Sequence, residues 1–497
     1  MIVAIVAVAA WFRFYKFPAV PPALNWDEVS FGYNAYSILK TGRDEFGNFM
    51  PVYFRSLDDY KLPVYVYLTV GSIKLFGYND FAVRFPSALF GVGTVVMLWW
   101  LVLELWHDRK VALMAALLLA ILPWHIQFSR MAAEANAGLF FLTGGVTLFL
   151  YGLRKNRWLW LSVLSLALAT YSYLSFRLIA VLLGCSLVIL YFKKIVALNK
   201  RWLLILGISV ALVAGLLIRD TLVNRIHIRL SGTSVWHASG ANEAFKQNEG
   251  EMFYDAALKI NLIRRFFHDH KLFTGAGIVA QGYLAHFSPA FLWFDYNERH
   301  HQTPGVGLLY VWMLPFISIG GYAMWRNKNR LSATLVLLWL LLSPVPAAVT
   351  WDIPHPIRVL GMVIPLMILV AWGVVGVGQN IKTLKVKWVG GLILGIIISI
   401  SSTYFLHQYV IHLPHERSHQ WVYGRQELTA WLEIHKQDYK KIIVSSKLEW
   451  PYIFLLYYSK YDPEKYLAQG GTKSGGWGAE DNRYDNYEFR RFNPEDF

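Results

Sequence analysis

Cysteine and charged residues are both scarce in this sequence of 497 residues. Cys185 is its only cysteine, so a disulfide framework and a cysteine-ligated metal site within one chain are both excluded. Charged residues make up 16% of the chain, whereas in soluble proteins they approach about a quarter. The composition therefore excludes an ordinary soluble protein of this length.

Hydrophobic residues make up 56% of the chain and collect in long runs. Because a helix needs roughly 20 residues to cross a hydrocarbon core of about 30 Å, these runs predict a polytopic α-helical membrane protein with about eleven transmembrane helices. Segment 62–76 is shorter and contains Lys74, so we expect an extracytoplasmic helix at the membrane interface. The predicted spans are 1–17, 86–105, 111–123, 137–152, 158–174, 178–192, 202–218, 305–325, 332–349, 359–378 and 388–406.

The first run also has the length of a signal peptide. It has no basic n-region and no small-residue cleavage site, so we interpret 1–17 as a span. Because the apolar run starts at Met1 itself, we expect a few further residues upstream.

The net charge of +15 would suit a nucleic-acid partner, but the positions of the basic residues argue against one. They concentrate in short loops between alternate runs, such as "HDRK", "LRKNR", "KKIVALNK", "RNKNR" and "IKTLKVK". Short basic loops of this kind face the cytoplasm. We therefore expect a multi-pass protein of the plasma membrane, with a cytoplasmic N-terminus, an extracytoplasmic C-terminus and no nucleic-acid partner.

The same topology places three regions outside the membrane. We assign 1–406 to a transmembrane domain, with extracytoplasmic loops at 18–85 and 219–304, and 407–497 to a small extracytoplasmic α/β domain. In that last region "RQELTAWLEIHKQ" has helical spacing, whereas "KKIIVSSK" and "YIFLLYYSK" are predicted as short buried strands. The tail after Leu467 is rich in Gly, Asn and Asp and is predicted to turn often.

Ionisable residues that are costly to place near a membrane gather in four segments, all predicted to be extracytoplasmic. A carboxylate such as Asp27 can take the proton of a hydroxyl nucleophile, as a general base does. The cations can neutralise a phosphate presented at membrane depth, since arginine pairs with phosphate through two parallel hydrogen bonds and lysine acts as a point charge. The segments supply Asp27 and Glu28, then Lys61, then Arg130 and Glu134, and finally His355 and Arg358. They predict transfer of a head group from a lipid phosphate to a hydroxyl.

Structural interpretations of these residues stay open. Asp27 also fits the N-cap of the helix "EVSFGYNAYSILKTG", and Lys61 and Arg358 also fit interfacial cations with their charges turned to water. Arg84 in "AVRFPSALFG" fits a structural or interfacial anchor, or else a further cation for the donor phosphate. Glu134 needs a partner, because it stands at the end of a span.

The histidines do not predict a metal centre. His286, His300 and His301 lack the helical spacing of ligand motifs such as HExxH. We expect no dedicated metal site and no required cofactor. A bound Mg or Mn ion stays open as an alternative that the sequence does not indicate.

The polar segments resemble those of a known superfamily. "WDEVSFGYNAYSILKTG" resembles the motif after the first span of protein O-mannosyltransferases and of the aminoarabinose transferases that act on lipid A, which are membrane glycosyltransferases of the GT-C fold. "DYKLPVYVYLTVGSIKLFGYNDFAVRFPSALFG" resembles their next segment, and "SRMAAEANAGLFF" resembles the loop with their second acid. "PHPIRVLGMVIP" resembles a late span that opens with a basic residue. The similarity covers most of the first 180 residues in order.

The resemblance implies a role for each matching residue. Asp27 matches the catalytic base with Glu28 as its supporting neighbour, Glu134 the second acid, and Lys61 the cation on the donor phosphate. His355 and Arg358 are implied as further phosphate partners. The reaction implied is inverting transfer of a hexose or pentose from a polyprenyl-phosphate donor to a hydroxyl of a protein, lipid or surface glycan.

The sequence departs from this pattern at two positions. Ser30 stands where aminoarabinose transferases have an arginine, so that donor sugar is not implied. The second acid is commonly Asp, whereas this chain has Glu134.

Other functions also suit a polytopic chain of this kind. A transporter or flippase of lipid-linked sugars would place its acids in mid-span, and many transporters show an internal repeat, which this chain does not. A non-catalytic subunit with the same fold, or an enzyme that polymerises or ligates whole oligosaccharides, is a further alternative.

Overall fold

The computed structural model describes residues 1–57, 59–223, 271–295, 301–350, 352–475 and 481–496. Within these residues the chain is mostly helical, with two small sheets. Most of the predicted loop 219–304, including His300, lies outside the described residues.

The described chain up to residue 223 contains helices α1 to α10 and strands β1 and β2. The helices are Ile2–Phe14, Trp26–Thr41, Pro63–Phe76, Asp80–Trp106, Arg109–Ile121, Pro123–Arg130, Glu134–Gly152, Leu159–Thr170, Leu174–Val196 and Lys200–Val223. The strands are Phe54–Ser56 and Asp59–Lys61, which pair as an antiparallel hairpin.

The described chain from residue 271 onward contains helices α11 to α21 and strands β3 to β5. The helices are Lys271–Ala285, Pro289–Trp293, Leu314–Arg326, Arg330–Leu342, Val345–Ala348, Val363–Asn380, Leu384–His407, Leu413–Glu416, Arg425–His435, Pro451–Tyr458 and Pro463–Ala468. The strands are Ile442–Ser445, Asn482–Tyr484 and Tyr487–Arg490.

Seven stretches of helix in the described residues are long and apolar enough to cross a membrane, or eight if the bent pair α5 and α6 counts as one span. The bend between α5 and α6 is 57°, and Pro123 opens the second helix there. The stretches are Asp80–Trp106, Glu134–Gly152, Leu174–Val196, Lys200–Leu222, Arg330–Ala348, Leu360–Asn380 and Leu384–Glu416. Each of the seven overlaps a span predicted from the sequence.

The predicted total of eleven spans is not confirmed. The apolar runs at 1–17, 158–174 and 305–325 contain helices of only 13, 12 and 13 residues. At a rise of 1.5 Å per residue these reach about 20 Å, short of a core of about 30 Å. In all three places the apolar run is therefore longer than the helix that it contains.

The long helices share one core, in which α4 packs against α5 and α7, and α16 packs against α5 and α13. At the crossing of α13 and α16 two glycines allow close approach. A Cβ at Gly320 would lie 1.8 Å from the oxygen of Leu369, and one at Gly373 would lie 2.2 Å from the oxygen of Phe316. Small residues let helix backbones meet in this way inside membranes.

A second core joins the C-terminal segment to α2 and α3. The stretch "YIFLLYYSK", predicted as a strand, is instead the buried helix α20, which begins at Pro451 and packs against α2 and α19. The tail predicted to turn contains strands β4 and β5, and β5 lies between β3 and β4. β3 is parallel to β5, and β4 is antiparallel to it. The division of the chain into domains at residue 406 stays a prediction.

Candidate active site

Asp27 lies in the first turn of α2 without capping it. Asn25 is the N-cap: its Oδ1 accepts from the backbone N–H of Glu28 at 3.0 Å, and its own N–H donates to Glu28 Oε2 at 3.0 Å. This reciprocal pair satisfies the free amides of the helix start. The predicted capping role of Asp27 is therefore wrong. Its carboxylate is 38% exposed and is not needed at the helix start.

Asp27 forms an ion pair with Lys61. Lys61 Nζ lies 2.7 Å from Asp27 Oδ1 and 3.4 Å from Asp59 Oδ2, and the lysine side chain is only 8% exposed. The β1–β2 hairpin sets its position by pairing it with Phe54, and Pro63 opens α3 directly afterwards. A buried ammonium is thus held against an accessible carboxylate.

Glu28, next to Asp27, is completely buried and pairs with Arg84 of α4. Arg84 Nε donates to Glu28 Oε1 at 2.8 Å, and Nη2 donates to Oε2 at 2.9 Å. The other N–H groups of Arg84 donate to the carbonyls of Pro18, Pro21 and Ala23. The pair therefore fastens the start of α2, the chain before it and α4 together.

The loop that precedes α7 joins the same point. The backbone N–H of Ala132 donates to Glu28 Oε1 at 2.7 Å, and the buried Glu134 opens α7 two residues later. Three of the four polar segments predicted to converge, those with Asp27, Lys61 and Glu134, therefore meet around the first turn of α2.

Arg130, at the end of α6, is buried among backbone carbonyls. It donates to the oxygens of Phe12 and Val20 at 2.9 and 3.0 Å, and its guanidinium lies 5.2 Å from the centre of the Tyr409 ring. These contacts fix the N-terminal segment against the helix bundle. Its predicted contact with a donor phosphate stays a prediction.

The fourth segment, with His355 and Arg358, is held mainly within its own loop. His355 Nε2 lies 3.6 Å from Asp352 Oδ2, and Arg358 donates to Thr350 Oγ1 at 2.7 Å. Among the described residues no contact joins Asp27 to His355 or Arg358. The structure thus places these two cations apart from the Asp27 contact, and their phosphate role stays a prediction.

That segment still touches α6, whose end carries Arg130. Trp124 Nε1 donates to the oxygen of Pro356 at 3.2 Å. The His301 ring makes tilted contacts with the rings of His355, at 4.8 Å, and Phe128, at 5.7 Å. His286 accepts from the backbone N–H of His355, and burial lowers the pKa of His286 to about 4, so this histidine is neutral at pH 7.

The sequence analysis did not single out Glu45, which lies in the turn "DEFGN". This carboxyl is fully buried, with Oε1 2.8 Å from Asn34 Nδ2 and Oε2 2.7 Å from Thr472 Oγ1. Asn34 also donates to Ser30 Oγ, which lies 2.5 Å from Ser56 Oγ in β1. A chain of polar contacts therefore links the hairpin that carries Lys61 to the C-terminal segment. The sequence offered one signal for this site, the pair of adjacent acids Asp44 and Glu45 in a short turn.

Burial raises the pKa of Glu45 from 4.5 to about 7. Between these values the folded protein holds a proton that the unfolded chain releases, so stability falls as the pH rises through this window. We expect Glu45→Gln, which keeps the neutral form, to lie within about 1 kcal/mol of the wild type at pH 5. At pH 8 it should be more stable by about 3 kcal/mol, from 1.36 kcal/mol per pKa unit.

Thermal unfolding of both purified proteins from pH 5 to pH 8 measures this difference. Glu427→Gln, on the exposed side of α19, is the matched control and should follow the wild type throughout. Parallel unfolding curves for wild type and Glu45→Gln across the range would contradict the assignment.

Among the described residues, no group of three or more His, Cys, Asp or Glu side chains is placed to hold a metal ion. Asp27 Oδ1 is engaged by the Lys61 ammonium at 2.7 Å. That the protein requires no metal stays a prediction.

Residues 61–220 match the model of the family described as dolichyl-phosphate-mannose-protein mannosyltransferase. This stretch contains Lys61, Arg84, Arg130 and Glu134 but begins after Asp27. No curated protein sequence matches the chain.

Solved structures of two kinds resemble the whole chain. The oligosaccharyltransferase from Archaeoglobus fulgidus, solved with Zn and sulfate, aligns over 92% of this chain with 13% identity and a TM-score of 0.52. This chain covers 61% of that protein, about three fifths of its length. ArnT from Cupriavidus metallidurans, bound to undecaprenyl phosphate, aligns over 94% of this chain and 87% of its own, with 14% identity and a TM-score of 0.51.

A third structure is the archaeal enzyme AglB from Archaeoglobus fulgidus with an inhibitory peptide and a dolichol-phosphate. It aligns over 92% of this chain and 63% of its own, with 12% identity and a TM-score of 0.50. At these identities the structures establish the fold. The chain is therefore a membrane protein of the GT-C fold that resembles the dolichyl-phosphate-mannose-protein mannosyltransferases over residues 61–220, which confirms the resemblance predicted from its sequence.

Proposed function

We propose that this protein transfers a sugar from a polyprenyl-phosphate donor to a hydroxyl acceptor on the extracytoplasmic face of the plasma membrane. One observation carries the proposal: the accessible carboxylate of Asp27 lies 2.7 Å from the buried ammonium of Lys61. A base and a phosphate-binding cation side by side are the two groups that such a transfer needs.

In this mechanism Asp27 acts on the acceptor. Its carboxylate takes the hydroxyl proton while the acceptor oxygen bonds to the anomeric carbon of the sugar. The bond between that carbon and the phosphate oxygen breaks on the opposite side, so the configuration inverts. The polyprenyl phosphate leaves with the bonding electrons, and no general acid is needed because a phosphate is a good leaving group.

Lys61 acts on the leaving phosphate. Its ammonium has three N–H donors, so it can keep its contact with Asp27 while another donor reaches a phosphate oxygen. A cation fixed in advance where negative charge develops is usually the largest electrostatic contribution to such catalysis. With this cation in place the proposed step requires no divalent ion.

Two further observations support the proposal over transport. Solved GT-C structures hold this class of lipid, since ArnT was solved with undecaprenyl phosphate and AglB with a dolichol-phosphate. Within the seven candidate spans of the described chain, the acids stand in the first or last helical turn: Asp80, Glu104, Glu134, Asp220 and Glu416. A translocation path would be expected to carry acids in mid-span.

The direct test is transfer by the purified protein in lipid vesicles. Polyprenyl-phosphate donors bearing different labelled hexoses and pentoses are supplied with protein, lipid and glycan acceptors in turn. We expect label to appear in one acceptor class, with the anomeric configuration opposite to that of the donor. Retained configuration would contradict the single displacement, and labelled donor moved across the bilayer without transfer would favour a flippase.

Lys61→Ala tests the phosphate contact. We expect the KM for the donor to rise by more than about tenfold, because a buried charge that faces the phosphate is lost, while the KM for the acceptor changes little. Steady-state kinetics with each substrate varied separately measure both effects. Lys74→Ala, an exposed cation at the end of α3, is the matched control. Equal losses for donor and acceptor would indicate a merely structural lysine.

A further inference from the structure

A second polar cluster lies beside Lys61, made of Tyr53, Tyr171, Arg177 and Asp220. Tyr53 precedes β1, Tyr171 follows α8, Arg177 is in the first turn of α9, and Asp220 is near the end of α10. The hydroxyls of Tyr53, at 2.6 Å, and Tyr171 both donate to the same Asp220 oxygen, Oδ2. Three separate parts of the chain thus meet at one carboxylate, with Arg177 beside them.

Arg177 is the cation of this cluster, and one side of its guanidinium is unused. Nη2 donates to Tyr53 Oη and Nε to the oxygen of Thr170, both at 3.3 Å. The guanidinium lies 5.3 Å from the centre of the Tyr171 ring and 6.0 Å from that of Tyr53. Nη1 is buried and has no partner among the described residues. A buried charged donor without an acceptor is costly, and a ligand oxygen would relieve that cost.

The Tyr53 hydroxyl stands between Asp220 and the guanidinium, since it donates to Asp220 and accepts from Arg177 Nη2. In the described part of the chain, no ion pair joins Arg177 to Asp220, because the carboxylate is engaged by the tyrosine hydroxyls instead. Burial raises the pKa of Tyr53 to about 12, so its hydroxyl keeps the proton that it donates. The cluster therefore holds a half-buried arginine whose buried Nη1 has no partner among the described residues.

Two backbone links connect the cluster to the hairpin that carries Lys61 and to the start of α3. Tyr53 directly precedes Phe54, the residue that pairs with Lys61 in the hairpin. The backbone N–H of Val64, three residues after Lys61, donates to the oxygen of Tyr171 at 3.3 Å. A lipid phosphate that approaches Lys61 along the start of α3 would come next to this cluster.

The charges around Lys61 call for such a second cation. Its ammonium already faces two carboxylates, Asp27 and Asp59. A phosphate would add at least one more negative charge to this set. A second cation near Lys61 would offset part of that charge.

We infer that Arg177 binds the phosphate of the polyprenyl-phosphate donor through its Nη1, as a second cation beside Lys61, with Tyr53 and Tyr171 fixing the guanidinium from either side. This inference rests on the proposed function. The planar fork of arginine suits phosphate oxygens, and the aromatic rings hold the guanidinium in one orientation. Asp220 then opposes the phosphate electrostatically, which gives the two charged residues of the cluster opposite effects on binding.

The test uses the purified full chain in detergent, with undecaprenyl phosphate as the probe and undecaprenol as the matched lipid without phosphate. Binding is measured for wild type, Arg177→Ala, Arg177→Lys, Asp220→Asn and the control Arg157→Ala, which removes an exposed arginine on the predicted cytoplasmic side. We expect Arg177→Ala to lower the affinity for undecaprenyl phosphate at least tenfold, and Arg177→Lys to lower it by less. Asp220→Asn should bind it as tightly as wild type or more tightly, and undecaprenol affinity should be the same in every protein.

A structural clamp would behave differently. Arg177→Ala and Asp220→Asn would then both weaken the phosphate lipid and undecaprenol alike, which overturns the inference, as does undiminished binding by Arg177→Ala. If Arg177→Ala does not fold, Arg177→Lys and Asp220→Asn are compared instead. The inference then requires weaker binding of undecaprenyl phosphate by Arg177→Lys and equal or tighter binding by Asp220→Asn. Displacement of the lipid by millimolar inorganic phosphate would identify a free-phosphate site and overturn the lipid assignment. A folded wild type that does not bind undecaprenyl phosphate would instead refute the proposed function itself.

Discussion

Asp27→Asn should abolish sugar transfer, with kcat lower by about 10²–10⁴-fold, while the protein inserts and folds as the wild type does. Asparagine keeps the size of the side chain but cannot accept the proton of the acceptor hydroxyl. The carboxylate is 38% exposed and does not cap α2, because Asn25 does, so little of the fold depends on its charge. Single-turnover transfer from a labelled polyprenyl-phosphate sugar measures the loss.

Asp59→Asn is the matched control for that experiment. Asp59 is the other carboxylate on Lys61, at 3.4 Å, and has a similar exposure of 29%. Removing it takes away the same charge from the same cation, yet it should leave kcat within a few-fold of the wild type. If Asp27→Asn turned over about as fast as Asp59→Asn, Asp27 would not be the base.

Glu28→Ala and Arg84→Ala should each destabilise the protein by about 3–5 kcal/mol, because each leaves one buried charge without its partner. Both side chains are almost inaccessible to solvent, and two hydrogen bonds of 2.8 and 2.9 Å join them. Three carbonyls of the chain before α2 also depend on Arg84. We expect a large drop in melting temperature and in the yield of monodisperse protein.

The double variant and a partly exposed pair complete the test. Glu28→Ala together with Arg84→Ala should cost much less than the sum of the two single changes, since no unpaired charge is left. Lys436→Ala breaks an ion pair with Glu433 in which the two side chains are 24% and 29% exposed, and it should cost no more than about 1 kcal/mol. Additive losses for Glu28 and Arg84 would show that the pair is not coupled.

These two predictions separate neighbours that look equivalent in the sequence. In "WDE" nothing distinguishes the acids except position, yet the helical rotation of about 100° per residue turns one toward the core and the other outward. Glu28 therefore meets Arg84 and Ala132, whereas Asp27 meets Lys61. We therefore expect Glu28→Ala to lower stability and Asp27→Asn to lower turnover.

Hydropathy was enough to predict the long spans, because their apolar runs are a direct property of composition. It left the spans predicted at 1–17, 158–174 and 305–325 unconfirmed, since run length does not report where a helix ends. It failed at "YIFLLYYSK", where a short run buried on all sides has no periodicity to distinguish a strand from a helix. The Asn25 cap was readable, because Asn followed three residues later by Glu is a capping-box pattern.

The candidate site was predictable as a set of residues but not as a geometry. Topology placed Asp27, Lys61 and Glu134 on one side, and the structure brings their segments together. The contact between Asp27 and Lys61 depends on the register of a three-residue hairpin, which no local pattern specifies. Arg177 and Asp220 escaped notice because each is a lone charge at a helix end, and only tertiary contacts unite them.

The contact between Glu45 and Thr472 joins residues 427 positions apart, and it lies under the helix that carries Asp27. During synthesis residues 1–61 are made long before this partner. Until Thr472 has been made, α2 lacks the contact that ties it to the C-terminal segment. A chain still on the ribosome at that stage therefore carries Asp27 and Lys61 without this support, and the geometry proposed for them is completed late in folding.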